Sequence, residues 1–175
     1  MLEELSVRQY ALIDRLDLTF HEGFNVLSGE TGAGKSILIG ALGLLLGDRG
    51  DTSSVRSGSQ QAVVAASVRL SDDSAVSAWL EQRGIEPEEG RVLLRRVLKT
   101  NGRGTITLQG MSVTQRELRE FSQMLFDVHG QHEHQSLLKS DTQRMMLDAY
   151  GSLSDQVEEV QLQYRKLSAL QQQLE

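Results

Sequence analysis

An eight-residue loop, Gly29-Glu30-Thr31-Gly32-Ala33-Gly34-Lys35-Ser36, set between two apolar runs, restricts this chain more than any other feature. It fits the pattern G-x-x-x-x-G-K-[ST] at every position. Its glycines let the backbone turn so that successive N–H groups converge on phosphate oxygens. A helix starting at the loop aims unpaired N–H groups and a partial positive charge at the same anion. Lys35 then reaches the β- and γ-phosphates, and the Ser36 hydroxyl is placed to ligate Mg²⁺. The flanks suit this reading: Phe24 to Ser28 predicts a buried strand feeding the loop. After Lys35, the residues Ile37, Leu38, Ala41, Leu42, Leu44 and Leu45 recur at helical spacing, with Gly47 as the stop signal.

Composition narrows the classes. The chain has 175 residues, enough for one domain with a core, and no cysteine, which rules out disulfides and thiolate metal sites. Glu3 and Glu4 stand where a secretory signal would carry basic residues. The apolar run Ile37 to Leu46 is too short and glycine-broken to span a bilayer. A cytoplasmic protein without a membrane partner is the expectation. The net charge of −6 argues against a chain-wide nucleic-acid surface and leaves room for a local basic patch.

Elsewhere, Leu16, Leu18 and Phe20 alternate with Asp17 and Thr19 as a half-buried strand does, and the run around Leu5 and Val7 is its expected antiparallel partner. His21-Glu22-Gly23 reads as a turn. "GDRGDTSSVRSGSQQ" reads as an exposed loop, followed by a strand over Ala62 to Leu70 and a short helix over Ser74 to Gln82 carrying Trp79. Val92 to Leu98 and Thr105 to Leu108 are expected strands joined by the turn "KTNGRG". Thr114 and Glu117 have capping-box spacing, opening a helix to about Leu125. A helix over Asp141 to Tyr150 and a final heptad-like segment follow, with Leu153, Val157, Val160, Tyr164, Leu167 and Leu174 on one seam and Gln171 interrupting it. An amphipathic helix packed on its own domain is the alternative for that tail. No stop signal precedes Glu175, so the helix reads as cut rather than ended.

Hydrolysis would also need a carboxylate for Mg²⁺ and a group to orient water. Asp127, in "MLFDVHG", offers one route, that of a self-contained GTPase or small kinase. Against it, Leu138-Lys139-Ser140-Asp141 lacks the Asn of a guanine-reading motif, and no acidic residue follows Asp127 directly. In the other route "HGQHEHQ" is a glutamine loop whose side-chain carbonyl faces Mg²⁺ or water. His129, His132 and His134 with Glu133 raise a metal site, although their spacing matches no common zinc motif.

Taken together, "NVLSGETGAGKSILIGALGLLLGDRG", "VRSG" and above all "DVHGQHEHQSLL" resemble the N-terminal part of the bacterial RecN DNA-repair proteins, of the SMC-like group of ABC-type ATPases. The resemblance runs over essentially the whole chain. It implies an α/β fold of the P-loop NTPase class: the N-terminal lobe of an ABC/SMC-type head with an antiparallel β subdomain, over 1–151, and the start of a coiled-coil arm, over 152–175. By resemblance, Gly29, Glu30, Thr31, Gly32, Ala33, Gly34, Lys35 and Ser36 bind ATP. Gln131, rather than Gln135, senses Mg²⁺ and the γ-phosphate and joins Lys35 as catalytic, and Ser36 and Gln131 hold Mg²⁺. Arg56 matches an arginine near the nucleotide, with a freely solvated Arg as the alternative, and Ala11 to Ile13 matches the region beside adenine. The signature motif, Walker B and catalytic Glu are absent here, which implies a fragment that binds ATP and scarcely turns it over. The implied partners are a C-terminal half-head, a second head in a homodimer, and double-stranded DNA ends in a cytoplasmic, nucleoid-associated setting.

Overall fold

The computed structural model describes residues 1–29, 34–71, 74–126 and 140–172, and the chain divides into two units, Met1–Asp127 and Val128–Glu175. The first unit runs β1 (Leu2–Tyr10), β2 (Ile13–Thr19), α1 (Gly34–Leu45), a 3₁₀ turn (Thr52–Ser54), β3 (Gln61–Arg69), α2 (Ser74–Glu81), β4 (Arg91–Lys99), β5 (Gly104–Leu108), β6 (Met111–Ser112) and α3 (Gln115–Leu125). Its strands form one antiparallel sheet in the order β2-β1-β3-β4-β5-β6.

Alternation makes this sheet one-sided. Leu5 and Val7 of β1, Ala62, Val64, Ala66 and Val68 of β3, Val92 and Leu94 of β4, and Leu108 of β5 are all buried on one face. Against that face lie Leu38, Ala41, Leu44 and Leu45 of α1, Val76 and Leu80 of α2, and Leu118 and Phe121 of α3. The opposite face of the described strands buries only Val97. A register shift between Leu2 and Glu4 accompanies a set of ion pairs that ties three strands at one end. The Glu3 carboxylate accepts from Arg91 Nε at 2.6 Å and Arg69 Nε at 2.5 Å, and Arg91 first, then Arg69, hold its pKa below the ordinary range.

The expected hairpin is present: β4 pairs β5 from Leu98–Gly104 to Leu94–Leu108. At the start of α3 the capping box is complete, with the Thr114 hydroxyl accepting from the Glu117 amide and the Glu117 carboxylate accepting from the Thr114 amide at 2.8 Å. Phe121 of α3 meets Trp79 with ring centroids 5.2 Å apart, and the Arg83 guanidinium stacks 3.8 Å over the Trp79 ring. Trp79 is thus a packing residue that joins α2 to α3.

One expectation fails. Phe24 to Ser28 is not a buried strand: the segment has no strand pairing, and Phe24 is 93% and Val26 70% exposed. A strand needs a neighbour to take its N–H and C=O groups, and the described strands leave this segment without one. The β1–β2 pair, expected as a small unit of its own, is instead one side of the six-stranded sheet. β6 is an addition that the sequence did not signal.

The second unit contains α4 (Ser140–Tyr150) and α5 (Ser154–Gln172), joined at Gly151–Leu153 with Ser152 in the left-handed region. The Leu153 amide bonds the Asp148 carbonyl across this joint. Along α5, Val160, Tyr164 and Leu167 are exposed and Val157 is half-buried. Among the described residues, no helix is long and apolar enough to cross a membrane.

Candidate functional site

The site is built around α1. Asn25 closes the approach to the loop, its amide donating to the His21 carbonyl at 2.8 Å while its side-chain oxygen accepts from the His21 amide. Gly34 opens α1, with Lys35 half-buried and Ser36 exposed in the first turn. The Lys35 ammonium donates to the Gly29 carbonyl, so the side chain folds back along the loop toward its first residue. An ammonium and a hydroxyl beside a helix N-terminus suit the phosphates of a nucleotide and the Mg²⁺ that accompanies them. Glu30, Thr31, Gly32 and Ala33 lie outside the described residues. So do Gln131, Asp127, His129, His132, Glu133 and His134, and the proposed glutamine-loop and metal readings have no geometry here. Among the described residues no cluster of His, Asp and Glu is arranged to hold a metal ion.

Arg56 is partly exposed and anchored. Its guanidinium donates to the Leu12 carbonyl at 2.5 Å, and its amide donates to the Gln9 carbonyl at 2.9 Å. The Ala11 amide donates to the Ser54 carbonyl at 2.7 Å, and the Ser59 hydroxyl donates to the Gln9 side chain at 2.6 Å. Gln9 and Ala11 both adopt positive φ, a backbone cost that these bonds offset. The fold therefore brings together Arg56 and the Ala11–Ile13 segment, two features that lie far apart in the sequence. Tyr10 links them to α1: its hydroxyl sits so near Gly40 that a Cβ there would lie 3.1 Å away.

The other end of α1 is held from several sides. Gly47, at φ +95°, ends the helix with paired backbone bonds, Asp48 amide to Gly43 carbonyl at 2.9 Å and Gly47 amide to Leu44 carbonyl at 3.3 Å. Arg96 of β4 adds donations to the Leu44 carbonyl at 2.7 Å and the Asp48 carbonyl at 2.5 Å. From α3, the Ser122 hydroxyl donates to the Leu45 carbonyl, and Gln115 and Arg119 both donate to the Gly47 carbonyl. Burial pushes the Arg96 pKa down, yet a guanidinium stays charged at any ordinary pH. Sequence reasoning missed these residues. The available signal was Arg96 itself, an arginine at an inward position of a strand whose other inward residues are Val92, Leu94 and Leu98.

The fold is similar to that of solved SMC heads. A solved structure described as "Structural biochemistry of ATP-driven dimerization and DNA stimulated activation of SMC ATPases" superposes with a TM-score of 0.59 at 20% identity, covering 84% of this chain and 97% of that one. The chain belongs to the AAA domain family, whose model matches residues 4–175. Among individual proteins it is similar to the DNA repair protein RecN of Treponema pallidum, 44% identical over 100% of this chain and 31% of that protein. The RecN of Halalkalibacterium halodurans is 41% identical over 99% of this chain and 31% of its own length. The chain thus spans about a third of the length of these relatives. The resemblance drawn from the sequence agrees with these matches, and they do not favour a self-contained GTPase or kinase.

Proposed function

We propose that the chain is the ATP-binding half of an SMC-like ATPase head that acts in repair of DNA double-strand breaks. The observation that carries this reading is the exposed apolar segment Phe24–Ser28, which leads straight into the phosphate loop. Three large apolar side chains, Phe24, Val26 and Leu27, open to water beside a nucleotide site suit a face that a second half-head covers.

In this reading Gly29 to Ser36 cradle the ATP phosphates. Lys35 neutralises the charge developing on them, Ser36 and Gln131 hold Mg²⁺, and Arg56 stands near the nucleotide beside Ala11–Ile13. Bound Mg²⁺ would supply Lewis-acid stabilisation of the phosphate oxygens. The lobe extends over 1–151, and 152–175 begins a coiled-coil arm whose apolar seam pairs with a returning helix. The matching half-head supplies the signature motif and catalytic carboxylate, and two such heads dimerise around ATP. The chain alone binds ATP and scarcely hydrolyses it.

DNA is the second partner, and the charge distribution supports it. From Gly90 to Arg116 the sequence has six Lys or Arg and no Asp or Glu, within a chain of net charge −6. On the uncovered sheet face, Arg95 and Lys99 of β4 lie at the same end as the directly opposed Arg8 and Arg15, with Arg103 in the adjoining turn. Asp17 pairs with Arg8 at 2.8 Å and Arg15 at 3.1 Å, and Asp14 is the other carboxylate of β2 at that end. Such a patch fits duplex phosphates, and a cytoplasmic, nucleoid-associated location follows from it.

Turnover measurements test the proposal. The chain alone should bind Mg-ATP with negligible hydrolysis, and mixing it with the remaining part of the protein should restore Lys35-dependent turnover. Robust Lys35-dependent hydrolysis by the chain alone would overturn it.

A further inference from the structure

Arg96 and Ser122 are the buried polar side chains of the described core, and both direct their donors at the same place, the last turn of α1. A helix end needs partners for its last carbonyls. Here the backbone bonds formed through Gly47 already satisfy Gly43 and Leu44. Of the side-chain bonds from β4 and α3, that of Arg96 to the Leu44 carbonyl adds to a backbone bond, while Arg96, Ser122, Gln115 and Arg119 also serve the Asp48, Leu45 and Gly47 carbonyls. A guanidinium buried among Val92, Leu94 and Leu98 is costly unless fully bonded, and an aliphatic residue would fill that position more cheaply. What these donors add is attachment. They fix the negative end of the helix dipole to the sheet through Arg96 and to α3 through Ser122, Gln115 and Arg119.

The helix so held is the one that carries Lys35 and Ser36. Leu44 lies about 14 Å along the axis from Lys35, within one short, straight rod. We infer that Arg96 is a positioning residue for the phosphate site: with Ser122, Gln115 and Arg119 it anchors the far end of α1 and thereby sets where Lys35 and Ser36 meet a nucleotide. This deepens the ATP-binding reading, and its affinity arm rests on that reading.

Two readouts on this chain test the anchor. The variants are Arg96→Met, which keeps an apolar stem without donors, and Arg96→Lys, which keeps charge and a donor. Leu80→Ala is the control, a core truncation in α2 that lowers stability without removing any donor to the end of α1. Mg-ATP affinity is measured at a temperature where all variants are folded by circular dichroism. The expected result is about a tenfold loss for Arg96→Met, partial recovery for Arg96→Lys, and less than a twofold change for Leu80→Ala. Equal losses in Arg96→Met and Leu80→Ala, or no loss in Arg96→Met, would overturn the positioning role. Amide hydrogen exchange along α1 without nucleotide supplies the second arm. In Arg96→Met faster exchange should reach Leu38–Ala41 at the loop end. Acceleration confined to Leu44–Asp48 would overturn the inference. Absence of ATP binding by the unaltered chain would defeat the ATP reading alone and leave the exchange result to decide the anchor.

Discussion

The two ends of α1 differ in kind. At its C-terminal end, Gly47 closes the helix and four side chains from β4 and α3 bond its carbonyls, two of those side chains being buried. At its N-terminal end, Ser36 is exposed, and the segment that leads into the loop presents Phe24, Val26 and Leu27 to water. The same helix is thus bonded from several sides at one end and exposed at the other. The two ends are separated by about 18 Å of one element.

Substitutions at the two ends should separate cleanly. The largest effect is expected from Lys35→Ala, which should weaken Mg-ATP binding on the order of a hundredfold by calorimetry, the scale of a lost contact between charged groups. Its melting temperature should stay close to that of the unaltered chain, because the open end contributes little to the fold. Gly47→Ala should do the reverse. A Cβ there would lie 2.7 Å from the Arg119 Cβ and 2.9 Å from its Cα, at a φ of +95°. A loss of roughly 2–4 kcal/mol in denaturant unfolding is expected from strain and overpacking together.

Thr114→Ala, at the start of the helix that grips α1, should cost about 1 kcal/mol through loss of the cap. The same cap gives a pH dependence. Hydrogen bonding from the Thr114 amide, then its hydroxyl, holds the Glu117 pKa below its ordinary value of 4.5. The unfolded chain therefore binds this proton more readily than the folded one. The contribution is fully present above about pH 4.5 and is lost as pH falls through the depressed value. Asp17, held down by Arg8 and then Arg15, acts in the same direction. Glu117→Gln should flatten the acid limb of a stability–pH curve. The smallest effect is expected for Phe24→Ser, within about 0.5 kcal/mol in the chain alone, as for any exposed site. A loss of several kcal/mol there would show that the segment is part of this unit's own core.

Much of the closed end was legible in the sequence. The alternation of Val64, Ala66 and Val68 and the Thr114–Glu117 spacing each specify local structure that tertiary packing then keeps. The phosphate-loop reading rests on consecutive residues, of which Glu30 to Ala33 lie outside the described residues. Phe24–Ser28 misled because apolar character marks a segment for burial without saying what covers it. Arg96 was passed over because its partners, the Leu44 and Asp48 carbonyls, are backbone groups distant in sequence, and backbone acceptors leave no residue signature. The two-residue β6 is too short to carry a period.

The contrast between the ends of α1 can be measured directly by amide hydrogen exchange on the chain alone and mixed with the remaining part of the protein. The account predicts that Leu44–Leu46 amides are protected in both samples, whereas Asn25–Ser28 amides exchange fast alone and become protected on mixing. Protection of Asn25–Ser28 in the chain alone, or no gain on mixing, would contradict it.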